Sequence, residues 1–513
     1  MAQRGTGQPQ LIQTVSLPGD GQPWGSLNKY DTYSRLTIPD TDFDELINWL
    51  PMGNSIRQVP ANGATLATLA SAAIWMSAQT LNLGQYIYFL CANGHIYQVS
   101  LGGTITDVSG ATSMAATSDI ANWQGTTILF TDPIAQKIYS WNGTTFATVF
   151  TAQPAEVISV FSGRLWMAHN NTVTFTNANT FNSLGGDAGS FTITQSDAQP
   201  PIIALYPFAG LLYIFGYDWV EVLGNIYDVG SPPVVNFQLN MVENRVGTIS
   251  RWSIIGLGST LYWANKNGIW ALQGTFPTKL STPLDGFFQN PGVNSNFFAA
   301  FGYIYNVPCL FWQSNYSTDN TLTVFGIAID TASQVKGKWF RTVLSNEKFI
   351  SSDIDQTTGA SKVFGCDGTN IFQMYANTAN AINSTMGFKY WSFGQSAFFK
   401  RMYKFGASIM LVGTATATLS GYDENGNSLN LTSNTQSYSP TVIFTDSGGN
   451  PITWTAGVNI TWTAANAQQY EFWEFGIDDI ARRFGAQLVL NGAGTMLESV
   501  SMEAEVTQVK WGS

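Results

Sequence analysis

The chain has 513 residues, with 22 basic and 33 acidic side chains, a net charge of −11, and only 11% charged residues against 14% aromatic. That balance argues against a clamp that grips nucleic acid through clustered Lys and Arg, while leaving room for a weakly charged wall along which DNA slides. The length exceeds one ordinary core, and charge well below the roughly 25% of an average soluble protein, replaced by Gly, Asn, Thr, Ser and Gln, suits many short strands and turns.

The first twenty residues, MAQRGTGQPQLIQTVSLPGD, lack the apolar core of a signal peptide. No run approaches the ~18–20 apolar residues of a membrane span, so no stable membrane insertion is expected. Cys91, Cys309 and Cys366 are odd in number, far apart and set in apolar segments. They read as buried free thiols of a protein made in a reducing cytoplasm, with no disulfide framework.

Residues 1–60 read as an extended arm with one short helix over 42–50, capped by Asp40 or Thr41. Asp40, Asp42, Asp44 and Glu45 then complement a helix start, an ordinary reading that competes with calcium ligation.

From Tyr86 a hairpin pattern begins, with apolar residues on both sides of a Gly- or Asn-rich turn. Its copies are 87–99 (IYFLCANGHIYQV), 128–141 (ILFTDPIAQKIYSW), 165–176 (LWMAHNNTVTFT), 212–223 (LYIFGYDWVEVL), 261–272 (LYWANKNGIWAL), 310–325 (LFWQSNYSTDNTLTVF) and 363–374 (VFGCDGTNIFQM). Further apolar runs at 157–161, 202–208, 252–257 and 297–304 supply another strand per unit. The irregular spacing centres near the size of a four-stranded propeller blade. Such a blade buries both faces only by stacking radially against neighbours. The reading is a mainly β chain: a β-propeller-like core of six or seven irregular blades over 61–395, with a pair of β-sandwiches as the rival.

Beyond Phe398 the texture changes. Residues 396–513 read as a C-terminal β-sandwich or barrel, built from 398–420, 487–490 and 497–509. The low-charge, Asn/Thr/Ser-rich tract 425–468 reads as an exposed insertion, with a hairpin at 442–454.

Catalytic patterns are sparse. The two histidines, His95 and His169, sit beside predicted turns, which leaves little for a zinc site or a Ser-His-Asp triad. Gly394-Gln395-Ser396-Ala397-Phe398 lacks the last glycine of a nucleophile elbow. Asp423-Glu424-Asn425-Gly426-Asn427 has its glycine at the wrong place for a calcium loop and reads as a turn. Asp218 and Glu221 form a carboxylate pair for glycoside hydrolysis only if they share a face, and an offset of three on a strand sets them on opposite faces. No Trp is followed by Asp, so the WD signature is absent. No catalytic, cofactor-binding or metal residue is assigned. Lys400, Arg401, Lys404, Arg482 and Arg483 are candidate subunit contacts, against a plain alternative of mutual salt bridges.

Three stretches carry a family resemblance. Asn48-Trp49-Leu50-Pro51 is followed by Ile56-Arg57-Gln58-Val59-Pro60. The middle string includes LYIFGYDWVEVL and VGTISRWSIIGLGSTLYWANKNGIWAL. The end holds Ile480-Ala481-Arg482-Arg483-Phe484-Gly485-Ala486-Gln487-Leu488. Together they resemble the packaged-DNA stabilisation, or tail-hub (nozzle), proteins of short-tailed bacteriophages. Pro60-Ala61 stands where the family pattern has Pro-Gly, and 425–468 departs as an insertion.

The resemblance implies a structural virion protein and no enzyme: a subunit of a hexameric ring below the portal and adaptor, assembled in the host cytoplasm. Such a ring meets tail fibre or spike proteins, continues the channel for double-stranded DNA without reading its sequence, and retains the genome until ejection. The alternative is a propeller that binds or degrades host-surface glycans. A tail spike is a weaker third reading, because no short solenoid repeat appears.

Overall fold

The computed structural model describes residues 12–18, 22–29, 34–194, 201–231, 233–288, 297–315, 322–330, 333–354, 358–393, 398–432, 435–438, 441–443, 453–454, 458–459, 461–463 and 468–506. The chain divides into two units: Asn62–Gly337 with Ser345–Met374, and Met1–Ala61 with Lys338–Leu344 and Tyr375–Ser513.

Among the described residues the first unit is a β-propeller of seven blades, six of them separate four-stranded sheets. Each expected hairpin is the middle pair of strands of one blade, as in Gly84–Cys91 with Ile96–Ser100 and Thr260–Asn265 with Gly268–Leu272. The extra apolar runs are the innermost strands: Val157–Phe161 in blade 3, Ala204–Phe208 in blade 4, Ile255–Leu257 in blade 5 and Phe298–Ile304 in blade 6. Ala73–Leu81 and Ile120–Trp123 begin blades 1 and 2, and Phe349–Ile354 begins blade 7. Blade 7 takes its outer strand, Thr65–Thr68, from the start of the propeller sequence, so the ring is closed by pairing chain-distant strands.

The middle strands are apolar on both faces because each blade is covered by a neighbour on each side. In blade 5, Leu261, Tyr262, Trp263 and Ala264 are all fully buried. Trp263 donates to the Gly247 carbonyl at 3.0 Å and Trp270 to Asn265 at 3.1 Å, so both indoles belong to the framework. Two seams show the packing directly. Trp166, Val173 and Phe175 of blade 3 meet Leu212, Ile214 and Trp219 of blade 4, and Phe215 and Val220 of blade 4 meet Leu261 and Trp263 of blade 5.

Gly268 ends the blade 5 turn at φ +139°, and a Cβ there would lie 2.2 Å from Ser281 Oγ, the acceptor for the Ile269 amide. Gly268→Ala is therefore expected to lower stability by more than about 1 kcal/mol. Gly274, at φ +91° with open space around its Cβ position, is the comparison site. Calorimetry on both variants checks this, the larger loss belonging to position 268.

The second unit is a sandwich. One sheet runs Trp49–Met52, Ser55–Gln58, Met496–Val506, Lys400–Val412, Gln468–Ala481, with Ile12–Leu17 also on Met496–Val506. The facing sheet contains Phe43–Ile47, Ile382–Phe388, Gly485–Gly492, Ala415–Tyr422 and Thr435–Tyr438. Phe388 joins the layers, its ring tilted against Phe43 at 5.6 Å and Phe405 at 5.7 Å.

The expected helix, and several described parts of the expected arm, are instead strands of both sheets. Phe43–Ile47 lies in one and Trp49–Met52 in the other, with Asn48 at φ 60° turning the chain between them. Asn48 is held there by Val343 and the Asn383 carbonyl. The boundary expected at residue 396 likewise falls earlier, at Tyr375. In the 425–468 tract, Thr441–Ile443 pairs with Thr461–Thr463 and Thr453–Trp454 with Val458–Asn459, a different pairing from the expected 442–454 hairpin. The remainder of that hairpin lies outside the described residues.

Candidate functional site

The innermost strands of the seven blades surround an axial cavity of about 560 Å³. One mouth is closed by two consecutive residues on the way into blade 5. Arg251 donates to the Thr117 carbonyl at 3.1 Å and to the Glu156 carbonyl, at the entries to blades 2 and 3. It also pairs with the buried Asp119 at 3.5 Å. Trp252 packs between Trp75 of blade 1, at 5.5 Å, and Phe298 of blade 6, at 6.2 Å. Arg251 and Trp252 thus touch four other blades.

Burial pushes the Asp119 carboxyl above its usual range, even though Arg251 and the Ile158 and Ile120 amides favour its charge.

Hydroxyls along the wall are engaged by backbone. Ser351 Oγ accepts from Ala78 N at 2.9 Å, Ser352 Oγ accepts from Phe301 N at 2.9 Å, and Ser361 Oγ donates to Phe301 O at 2.6 Å. These bonds tie blade 7 to blades 1 and 6. Toward the other mouth, Asp353 accepts from Thr80 at 2.8 Å, and Asn122 donates to the Thr80 carbonyl at 2.6 Å. The cavity has small-ligand dimensions and cannot admit a nucleic-acid duplex.

The expected basic cluster lies in the sandwich, and its members differ. Arg401 pairs with Asp478 at 2.9 Å, and Lys404 with Glu474 at 2.8 Å and Glu503 at 3.3 Å, all on one exposed sheet face. Tyr470, Phe472 and Ile480, each more than half exposed, lie on the same strand as Glu474 and Asp478. Lys400 departs from the expectation of a subunit contact. It is fully buried and donates to the carbonyls of Phe398 and Arg482, both at 2.7 Å. Burial, only partly offset by Glu424, brings its ammonium down to about 8. Arg482 lies over the Phe399 ring, and the amides of Arg482 and Arg483 both donate to Glu424 at 3.2 Å.

The carboxylates near the N-terminus, read as a helix start or calcium ligands, are held by cations and amides. Asp44 pairs with Arg35, Glu45 with Arg341, Asp40 with Lys389, and Asp42 accepts from Ser26 and Asn28. Asp423 closes its own turn by accepting from the Asn425 and Asn427 amides. Residues 394–397 of the elbow-like motif are outside the described residues. His95 pairs with Asp107, and His169 with Glu156, each at 2.8 Å. All three cysteines are buried, and burial pushes each thiol up to about 12, far from thiolate reactivity.

Asp218 and Glu221 are separated, though not by a strand offset: Asp218 lies in the turn before the strand, and only Glu221 is on Val220–Val229. Asp218 is exposed and near Lys266, at 4.0 Å. Glu221 is fully buried, and neither carboxylate oxygen has a hydrogen-bond partner among the described residues. Burial raises it to about 7.

Sequence reasoning missed Arg251 and Arg164. Arg164 is buried in blade 3, pairs with Asp187, and reaches Asp228 of blade 4 at 3.1 Å. The available signal was a lone Arg at the edge of an apolar strand, where a burial cost demands a partner.

No family model matches the chain, and no curated protein matches its sequence. Among solved structures, it is similar to a streptogramin B lyase, at TM-score 0.37 and 13% identity over 60% of this chain and 95% of that one. It is also similar to a selenomethionine-substituted virginiamycin B lyase from Staphylococcus aureus, at TM-score 0.39 and 11% identity over 60% of this chain and 96% of that one.

Proposed function

We propose that this protein is a non-catalytic ring subunit of a phage tail hub or nozzle, part of the virion, and that copies of it together bound the channel for the packaged DNA. The observation that carries the reading is the exposed sandwich sheet face. There Arg401 and Lys404 are fixed in cross-strand ion pairs, and Tyr470, Phe472 and Ile480 stand out to solvent. Aromatic side chains and Arg are the residue types enriched at protein interfaces.

The closed axis supports the same reading. A duplex cannot run through the propeller, so a DNA conduit has to be enclosed by several copies, each contributing an outer surface. An acidic chain, at −11, suits a wall that lets phosphate pass without gripping it. Adaptor and portal on one side and fibres or spikes on the other are the partners such a ring would have.

Electron microscopy of the purified protein and of phage particles tests this. Closed rings, and the protein at the tail vertex, are expected. A protein that stays monomeric and is absent from particles would overturn the proposal.

A further inference from the structure

Blade 4 differs from blades 1, 2, 3, 5 and 7 at its outer edge. Its last two strands, Val220–Val229 and Val234–Glu243, have ten residues each. The outermost strands of blades 1, 3 and 5 have three, four and three residues. Short edges are a usual protection against strand addition, as are lysine and proline on the edge. Val234–Glu243 has neither residue, is the terminal strand of its sheet, and carries no charge before Glu243.

Its sequence is also symmetric in chemistry about Gln238. Val235 and Met241 are apolar, Asn236 and Asn240 are amides, and Phe237 and Leu239 are apolar. The structure sorts these onto two faces. Asn236, Gln238 and Asn240 are exposed, whereas Val235, Phe237, Leu239 and Met241 are partly buried against the seam with blade 3. The pairing to Val220–Val229 shifts register beside Glu243 and again opposite Asn225, which leaves the stretch 236–241 in unbroken strand geometry apart from that neighbour's bulge.

We infer that this strand is a pairing edge for a second copy of the chain, the two joining antiparallel about a two-fold axis at Gln238. That register sets Gln238 against its own copy, Asn236 against Asn240, Phe237 against Leu239 and Val235 against Met241. Amide then meets amide on one face and apolar meets apolar on the other, with no like charges opposed. Self-complementarity of this kind is what an isologous contact requires, and a neutral edge without proline satisfies the backbone side of it. The contact joins two four-stranded blades into one sheet and does not rest on the ring reading.

The test uses the exposed residue on the axis. Gln238→Lys sets two ammonium groups directly opposite each other, and Gln238→Glu sets two carboxylates opposite. An equal mixture of the two variants pairs Lys with Glu. Light scattering on the full chain should show each single variant at half the wild-type mass and the mixture restored to it. Circular dichroism confirms that the variants are folded. Single variants that keep the wild-type mass, or a mixture that does not regain it, would overturn the inference. A wild-type chain already monomeric at tens of micromolar would do the same. Closed rings whose mass is indifferent to Gln238→Lys would remove this contact while leaving the ring subunit intact, so the two proposals fail separately.

Discussion

Replacing Arg251 with Met should destabilise the propeller by about 3–5 kcal/mol, the usual cost of removing one partner of a buried pair. The side chains of Arg251 and Asp119 are 21% and 5% exposed, so the carboxylate left behind is deep and poorly solvated. Two carbonyls, of Thr117 and Glu156, lose their donor as well. A pH signature separates this from a simple packing loss. Burial already raises the Asp119 carboxyl, with Arg251 opposing the rise. Without Arg251 the folded-state value climbs further above the unfolded one. An acid raised on folding favours the folded state at low pH and loses that advantage as pH rises through its folded value. The destabilisation by Arg251→Met should therefore be larger at pH 8 than at pH 5. Arg251→Met with Asp119→Asn should recover part of the loss at pH 8. Urea unfolding at the two pH values measures both effects, and a loss below about 1 kcal/mol at pH 8 would show that Arg251 is not a structural strut.

The middle hairpins were legible in the sequence because physics marks them twice. Both faces of those strands are covered, so they read as unbroken apolar runs, and each pair turns tightly at residues that tolerate unusual backbone angles. The outer strands carry neither mark. Ile105–Asp107 is exposed along its whole length and has no period to read. The closing strand, Thr65–Thr68, pairs with Asn370–Gln373, a partner about three hundred residues away that no local pattern can announce. The helix expected at 42–50 failed for a different reason. Phe43, Leu46, Trp49 and Leu50 are all fully buried at helix-like spacing, but they lie on strands of two different sheets on either side of the turn at Asn48. Arg251 was invisible as a site residue because everything it touches on blades 2 and 3 lies on distant segments. The basic cluster was half legible: the plain alternative of mutual salt bridges fits Arg401 with Asp478, while nothing local indicated that Lys400 points inward.

Glu221→Gln should make the protein more stable at pH 8 and remove a pH dependence that the native protein shows between about 4.5 and 7. Glu221 faces the seam between blades 3 and 4. Its neighbours along the strand on that face are Trp219 and Leu223, and across the sheet Ile214 and Met241. Charged groups of the same two blades are occupied elsewhere: Arg164 with Asp187 and Asp228, His169 with Glu156, and Asp218 near Lys266. Burial moves Glu221 from the ordinary 4.5 to about 7, a shift worth about 3 kcal/mol. The sign follows from proton binding. Between the two values the folded chain holds a proton that the unfolded chain has released, so folding is favoured at the acid end and weakens as pH rises. Above about 7 the full penalty applies. A neutral amide escapes the ionisation cost but still buries polar atoms, so Gln should recover part of the 3 kcal/mol, and Glu221→Met more of it. For a unit of this size that corresponds to a few degrees in the melting temperature at pH 8. At pH 4.5 the Gln variant and the native protein should melt together. A native protein whose stability is flat from pH 5 to 7, or a Gln variant that melts lower than the native protein at pH 8, would mean that Glu221 is not an isolated buried acid.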